Sequence, residues 1–157
     1  MSGTSSTLQN LQFDVNGLYI LLSNPMERFT YHWGLYLCTR PGAGRIYHVS
    51  NAETGIWRIL PIKDNYTLMY AMKIAVIDDY TQQALEDRIS QVPVEDNQFG
   101  TLTCRTWVLE ALWILNEEGH IKFTNEVRMI EEEALDRANE NALREDVTVA
   151  AGTWSLA

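Results

Sequence analysis

Apolar side chains in the first half of the chain follow a pattern that predicts β-strands. Four segments rich in aromatic and branched side chains are separated by turn-forming residues such as Pro, Gly and Asn. They are residues 13–22, 31–37, 45–50 and 56–60. A longer segment, 66–77, is apolar at every even position, so one face of that strand is predicted to be buried. These segments predict an antiparallel sheet of four to six strands.

Three helices are predicted in the second half of the chain. Residues 78–92 and 103–119 have apolar side chains at helical spacing, and the latter helix is apolar nearly all round. A third helix over 124–146 has a narrow apolar stripe and carries eight acidic side chains against three arginines. Its glutamates, including Glu131, are expected on a solvated outer face. The fold class is therefore α+β, with the sheet packed against the helices.

Length and charge narrow the choice of function. The chain has 157 residues, which suits one domain over 11–157 behind a disordered tail over 1–10. A formal net charge of −9 argues against nucleic acid and anionic membranes as partners, because both require lysine and arginine. There is no apolar run of membrane-spanning length and no secretory signal pattern at the N-terminus. We expect a cytoplasmic protein with reduced thiols and no disulfide scaffold.

Cys104 is the candidate nucleophile. It stands at the first turn of the predicted 103–119 helix, where free backbone N–H groups and the helix dipole favour a thiolate. The same N–H groups can stabilise an oxyanion. The competing interpretation is a small buried apolar residue on an apolar helix. Cys38 is excluded as the partner of His32, because six residues along a strand span roughly 20 Å.

The general base is sought among three histidines. His32 and His48 lie on neighbouring predicted strands, whereas His120 follows a helix and is expected to complement its dipole. If Cys38 faces Gly44 across the hairpin, then Gly34 faces His48, and the two imidazoles share one face of the sheet. A register shifted by one residue would place them on opposite faces. The pair therefore requires an odd loop or a bulge between the strands.

The order of these segments resembles that of a known family. HWGLYL at 32–37, YHVS at 47–50 and TCRTWV at 103–108 resemble the permuted papain-like proteins, which include NlpC-type and lecithin:retinol acyltransferase-like enzymes. The PPPDE isopeptidases are a second group with the same order of histidine and cysteine. The resemblance implies a papain-like fold with Cys104 as nucleophile, His32 as base and His48 as the group that orients His32.

The predicted function is a cysteine-dependent hydrolase or acyl transferase that acts on an amide or ester through a thioester. Asn51 or Glu53 could replace His48 as the orienting group. The substrate is expected to be a small molecule or peptide, with no metal or organic cofactor. Four aromatic side chains are candidates for binding it, and packing in the core is the competing interpretation of each. They are Trp33, Tyr36, Tyr47 and Trp107.

Two other functions stay open at this point. One is a non-catalytic module that binds a small molecule or peptide on the same fold. The other is an interaction protein that uses the acidic helix over 124–146. An activated thiol would separate the enzyme from both, because a buried structural thiol is not nucleophilic at low pH.

Overall fold

The predicted α+β class is confirmed by a computed structural model, which describes residues 11–27, 29–50, 58–60 and 67–156. The predicted tail over 1–10 lies outside this range. The strands are β1 (Gly17–Glu27), β2 (Thr30–Arg40), β3 (Ala43–Ser50), β4 (Arg58–Leu60), β5 (Leu68–Val76) and β6 (Thr148–Ala151). The helices are α1 (Gln82–Ser90), α2 (Cys104–Glu117) and α3 (Val127–Arg144).

The strands form one sheet in the order β4-β3-β2-β1-β5-β6. All neighbouring pairs are antiparallel except β5 and β6, which run parallel because all three helices lie between them in the chain. The sheet is thus mixed at one edge rather than wholly antiparallel. Strand β2 lies in its interior, between β1 and β3, and carries His32.

The two faces of β2 contact different parts of the molecule. Side chains at odd positions, from Tyr31 to Leu37, join the large core that includes Trp107 and the other buried residues of α2. Side chains at even positions, Tyr36 and Cys38, join a smaller cluster on the opposite face with Tyr19. The register against β1 is regular from Leu18↔Leu37 to Ser23↔His32, so this alternation is unbroken along that stretch.

Helix α2 starts at Cys104 because two threonines cap it. The Thr103 hydroxyl accepts from the Thr106 backbone N–H at 3.1 Å, and the Thr106 hydroxyl accepts from the Thr103 backbone N–H at 2.8 Å. This reciprocal arrangement is a capping box built with threonine at both positions. The predicted helix start at residue 103 is therefore displaced by one residue, and Cys104 occupies its first turn.

Strand β1 is longer than predicted. The sequence places a loop at 23–29, whereas the strand continues to Glu27, which pairs with Thr30. A shift in register between Ser23 and Glu27 accommodates this extension, in keeping with the proline at position 25. Ser23 therefore lies within the sheet, directly opposite His32.

The expectation that Glu131 is solvated is wrong. Glu131 is only 5% exposed, and its carboxylate accepts from Arg105 Nε at 2.6 Å and from Arg128 Nη1 at 3.0 Å. The phase of the helix explains this, because positions 127, 131, 134, 138 and 141 are all buried. Glu131 thus joins α3 to the first turn of α2.

We predict that Glu131→Gln lowers the free energy of unfolding by about 1–3 kcal/mol, because it breaks two charge-assisted hydrogen bonds at a buried site. Glu132→Gln is the matched control, since Glu132 is exposed, and it should change stability by less than about 0.5 kcal/mol. Urea denaturation of both variants measures the difference. Equal stability of the two variants would contradict a structural role for the Glu131 carboxylate.

Candidate active site

The β2–β3 hairpin has the register that the histidine pair requires. Cys38 pairs with Gly44, and Tyr36 pairs with Ile46. The turn is tight: Arg40 pairs with Ala43, and a register shift after Cys38 supplies a bulge. The bulge is one of the two arrangements that the pair requires, and it keeps His32 and His48 on the same face of the sheet.

His32 and His48 are joined by a short hydrogen bond. His32 Nε2 and His48 Nδ1 are 2.7 Å apart, and the two rings meet nearly perpendicular, at 85°. Gly34 faces His48 across the hairpin, and a Cβ on Gly34 would lie 3.3 Å from the Tyr47 carbonyl oxygen and 3.4 Å from the Cβ of His48. The structure therefore brings together the two imidazoles that the sequence selects, while their catalytic roles stay a prediction.

Burial keeps the His32 imidazole neutral. Desolvation, followed by the adjacent His48, lowers the pKa of His32 to about 4. At neutral pH the His32 ring therefore has one protonated nitrogen and one lone pair. If His32 donates from Nε2 to His48, its Nδ1 is left as an acceptor. A neutral imidazole with a free acceptor nitrogen is what a general base requires.

Cys104 lies on the other side of the sheet from this pair. Cys104 packs against the large core, on the face of β2 that carries Trp33. The His32 side chain extends from the opposite face of the strand. Among the described residues, the Cys104 thiol forms no hydrogen bond to His32 or His48, so the structure does not bring the three predicted triad residues together.

The surroundings of Cys104 do not favour a thiolate. Burial raises the pKa of the Cys104 thiol, although backbone hydrogen bonds from Trp33, Arg105 and Cys104 itself act in the opposite direction. The helix N-terminus therefore has the expected effect on the thiol, but desolvation outweighs it.

The four predicted substrate-binding aromatics make structural contacts. Trp33 and Trp107 are 1% and 0% exposed, and the Trp107 indole donates to the Val92 carbonyl at 3.4 Å. Tyr47 donates its hydroxyl hydrogen to Glu86 at 2.6 Å, while Tyr36 packs edge-on against Phe13. These contacts account for all four side chains without a ligand, and a role in substrate binding stays a prediction.

Ser23 is a site residue that sequence analysis missed. It pairs directly with His32 across β1 and β2, on the same face of the sheet. Its side chain is fully buried, and its hydroxyl forms no hydrogen bond within the described part of the molecule. Sequence analysis did not place Ser23 in a strand, because the segment SNPMERF contains a proline and suggests a loop. Only the extended pairing of β1 with β2 places Ser23 beside His32.

The alternative orienting residues, possible metal clusters and possible membrane-spanning helices can be compared with the described part of the chain. Asn51 and Glu53, the alternative orienting groups, belong to the segment that the structure does not describe. In the described ranges, no three His, Cys, Asp or Glu side chains cluster in a way that could hold a metal ion. The helices described are also too short or too polar to span a bilayer.

Comparison with known proteins assigns the chain to a family but not to an activity. Residues 18–122 match the model of the DUF6540 family, a family of unknown function. The chain belongs to this family. No curated protein and no solved structure matches it. The matched region runs from β1 through α2 and includes Ser23, His32, His48 and Cys104, whereas α3 and β6 lie beyond it.

The lowered pKa of His32 predicts a pH-dependent stability. The unfolded state binds a proton near pH 6.5 and the folded state only near pH 4, so stability falls as the pH drops through this interval. Between about pH 8 and pH 5, His32 should account for a loss of about 2 kcal/mol in the free energy of unfolding. Urea denaturation at both pH values, with wild type and His32→Gln, measures this contribution. An identical pH dependence in the two proteins would contradict it.

Proposed function

We propose that this chain is a hydrolase or acyl transferase that acts on an ester or amide and uses His32 and His48 for proton transfer. The observation that carries the proposal is the 2.7 Å hydrogen bond between the two imidazoles, one of which stays neutral well below pH 7. General acid–base catalysis needs a base that is unprotonated at working pH and held in position. His48 supplies the positioning of His32.

The arrangement resembles the base and orienting group of a catalytic triad. In such a triad the base removes a proton from the nucleophile and returns it to the leaving group, while the third residue fixes the orientation and tautomer of the base. His48 Nδ1 would accept from His32 Nε2 and stabilise the imidazolium that forms. The remaining nitrogen of His32 would then face the nucleophile and substrate.

Cys104 is the nucleophile that the resemblance to the permuted papain-like proteins implies. Its place in the first turn of α2 supports this role, because backbone N–H groups there stabilise both a thiolate and an oxyanion. Its raised thiol pKa and its position across the sheet from His32 count against the role. A thioester mechanism would therefore require the thiol to reach the imidazole pair from the opposite face.

The substrate we propose is a small acyl compound or a short peptide. The sheet face of His32 carries a cluster of tyrosines and aliphatic side chains, and the basic side chain that pairs with Tyr19 on this face, Lys73, forms an ion pair with Asp14. Such a surface suits a neutral acyl group better than a phosphate, which requires arginine or lysine. The alternative is a non-catalytic binding module. Such a module would not hydrolyse the substrate, and substitution of His32 or His48 would then change no reaction rate.

Hydrolysis of p-nitrophenyl acetate by the full chain tests the proposal. His32→Gln should lower kcat/KM by about 100-fold or more, because the general base is lost. His48→Gln should lower it less, because the base is retained and only its orientation is relaxed. His120→Gln is the matched control and should leave the rate unchanged, since His120 faces Glu118 at the end of α2.

Two results would decide against the proposal. If wild type does not accelerate hydrolysis above the rate of buffer, the enzyme interpretation fails. If His32→Gln and His120→Gln hydrolyse the ester equally fast, the histidine pair is not the base. Cys104→Ala then identifies the nucleophile: loss of turnover supports the thioester, while full turnover excludes it.

A further inference from the structure

We propose that the nucleophile served by His32 and His48 is the hydroxyl of Ser23. The inference rests on the proposed function, because it names the group from which the imidazole pair would remove a proton. It follows from one juxtaposition: a buried hydroxyl without a hydrogen bond is paired across β1 and β2 with an imidazole, and the second nitrogen of that imidazole is an acceptor if Nε2 donates to His48.

Three adjacent strands place these groups in a row. Ser23 on β1 is paired with His32 on β2, and His32 is hydrogen-bonded to His48 on β3. Directly paired residues on one face of a sheet have Cβ atoms about 4.5–5.5 Å apart. The Ser23 hydroxyl makes no hydrogen bond to His32 in this structure, so the proposed step requires it to turn toward Nδ1 by rotation about χ1. Cys104 has no such path, because it lies on the other face.

The unpaired Ser23 hydroxyl calls for an explanation. It is the one buried side-chain polar atom in the described part of the chain that lacks a hydrogen-bond partner. A buried hydroxyl normally finds a partner, since leaving it unpaired is destabilising. An alanine or valine would fill the same place in a sheet without that penalty. A hydroxyl kept there beside a neutral imidazole is explained by its chemistry rather than by packing.

The reaction balances without any cofactor. The Ser23 Oγ forms a bond to the acyl carbon, and its proton passes to His32 Nδ1. The bond from the acyl carbon to the leaving group then breaks, and the leaving group takes that proton from His32. Water attacks the Ser23 ester by the reverse sequence, giving the free acid and restoring the hydroxyl. His48 accepts from His32 Nε2 throughout and holds the imidazolium in place.

Treatment of the full chain with paraoxon tests this assignment, because diethylphosphoryl serine is stable and can be located by mass spectrometry. We expect one equivalent of p-nitrophenolate to be released and the diethylphosphoryl group to be found on Ser23. Modification should be about 100-fold slower in His32→Gln, because the base is lost. Ser90→Ala is the matched control at an exposed serine of α1, and its modification should equal that of wild type.

Ser23→Ala separates catalysis from structure. We expect it to fold with an unchanged circular dichroism spectrum and a melting temperature no lower than that of wild type, while paraoxon modification and ester turnover are lost. Turnover of p-nitrophenyl acetate by Ser23→Ala at the wild-type rate would overturn the inference but leave the proposed function standing. A label found on Cys104 instead of Ser23 would do the same. Failure of wild type to hydrolyse the ester at all would contradict both.

Discussion

The alternation of side chains along β2 determines what this molecule can do chemically. The strand is buried on both faces, so each successive residue is assigned to one of two separate environments. Odd positions meet α2 and the large core, whereas even positions meet the smaller cluster and the imidazole of His48. A shift by a single residue would exchange these assignments for every side chain of the strand. The face of the sheet on which His32 lies therefore determines which groups its imidazole can contact.

The same constraint makes the histidine pair possible. A bulge in the β2–β3 hairpin restores the register that puts both imidazoles on one face, with Gly34 opposite His48. Burial then favours the uncharged form of His32, which is joined to His48 by a short hydrogen bond. The protein therefore loses stability when His32 is protonated. Such a conflict between stability and charge is typical of functional sites.

The sequence predicts more of the fold than of the site. Strand alternation, turn residues and helical spacing identify the α+β class, because they depend on local periodicity. The β2–β3 register, and with it the proximity of His32 to His48, depends in addition on an odd loop or a bulge, which periodicity alone does not select. The relation of Cys104 to His32 depends instead on which face of β2 the helix covers. Contacts between residues distant in sequence, such as Trp33 with Arg105, decide that question, and the HW motif is compatible with either face. The structure shows that Trp33, rather than His32, faces α2.

Two other residues show why local patterns fall short. Ser23 lies in a segment with proline and asparagine, which suggests a loop, yet pairing with β2 draws it into the sheet. Glu131 belongs to an acidic run that suggests a solvated face, yet the helix turns it toward Arg105 and Arg128. In both cases long-range contacts override the local signal. Membership of the DUF6540 family does not alter these assignments, because the function of that family is unknown.

Imidazole ¹⁵N NMR across a pH titration observes the coupling of His32 to His48 without any substrate. We expect His32 to stay neutral from pH 8 to below pH 5, with a pKa lowered to about 4, and we expect His48→Gln to raise this pKa. We also expect a protonated Nε2 on His32 and a deprotonated Nδ1 on His48. Titration of His32 near pH 6.5, unchanged by His48→Gln, would show that the two rings are not coupled and that the pair is not the preorganised base proposed for this protein.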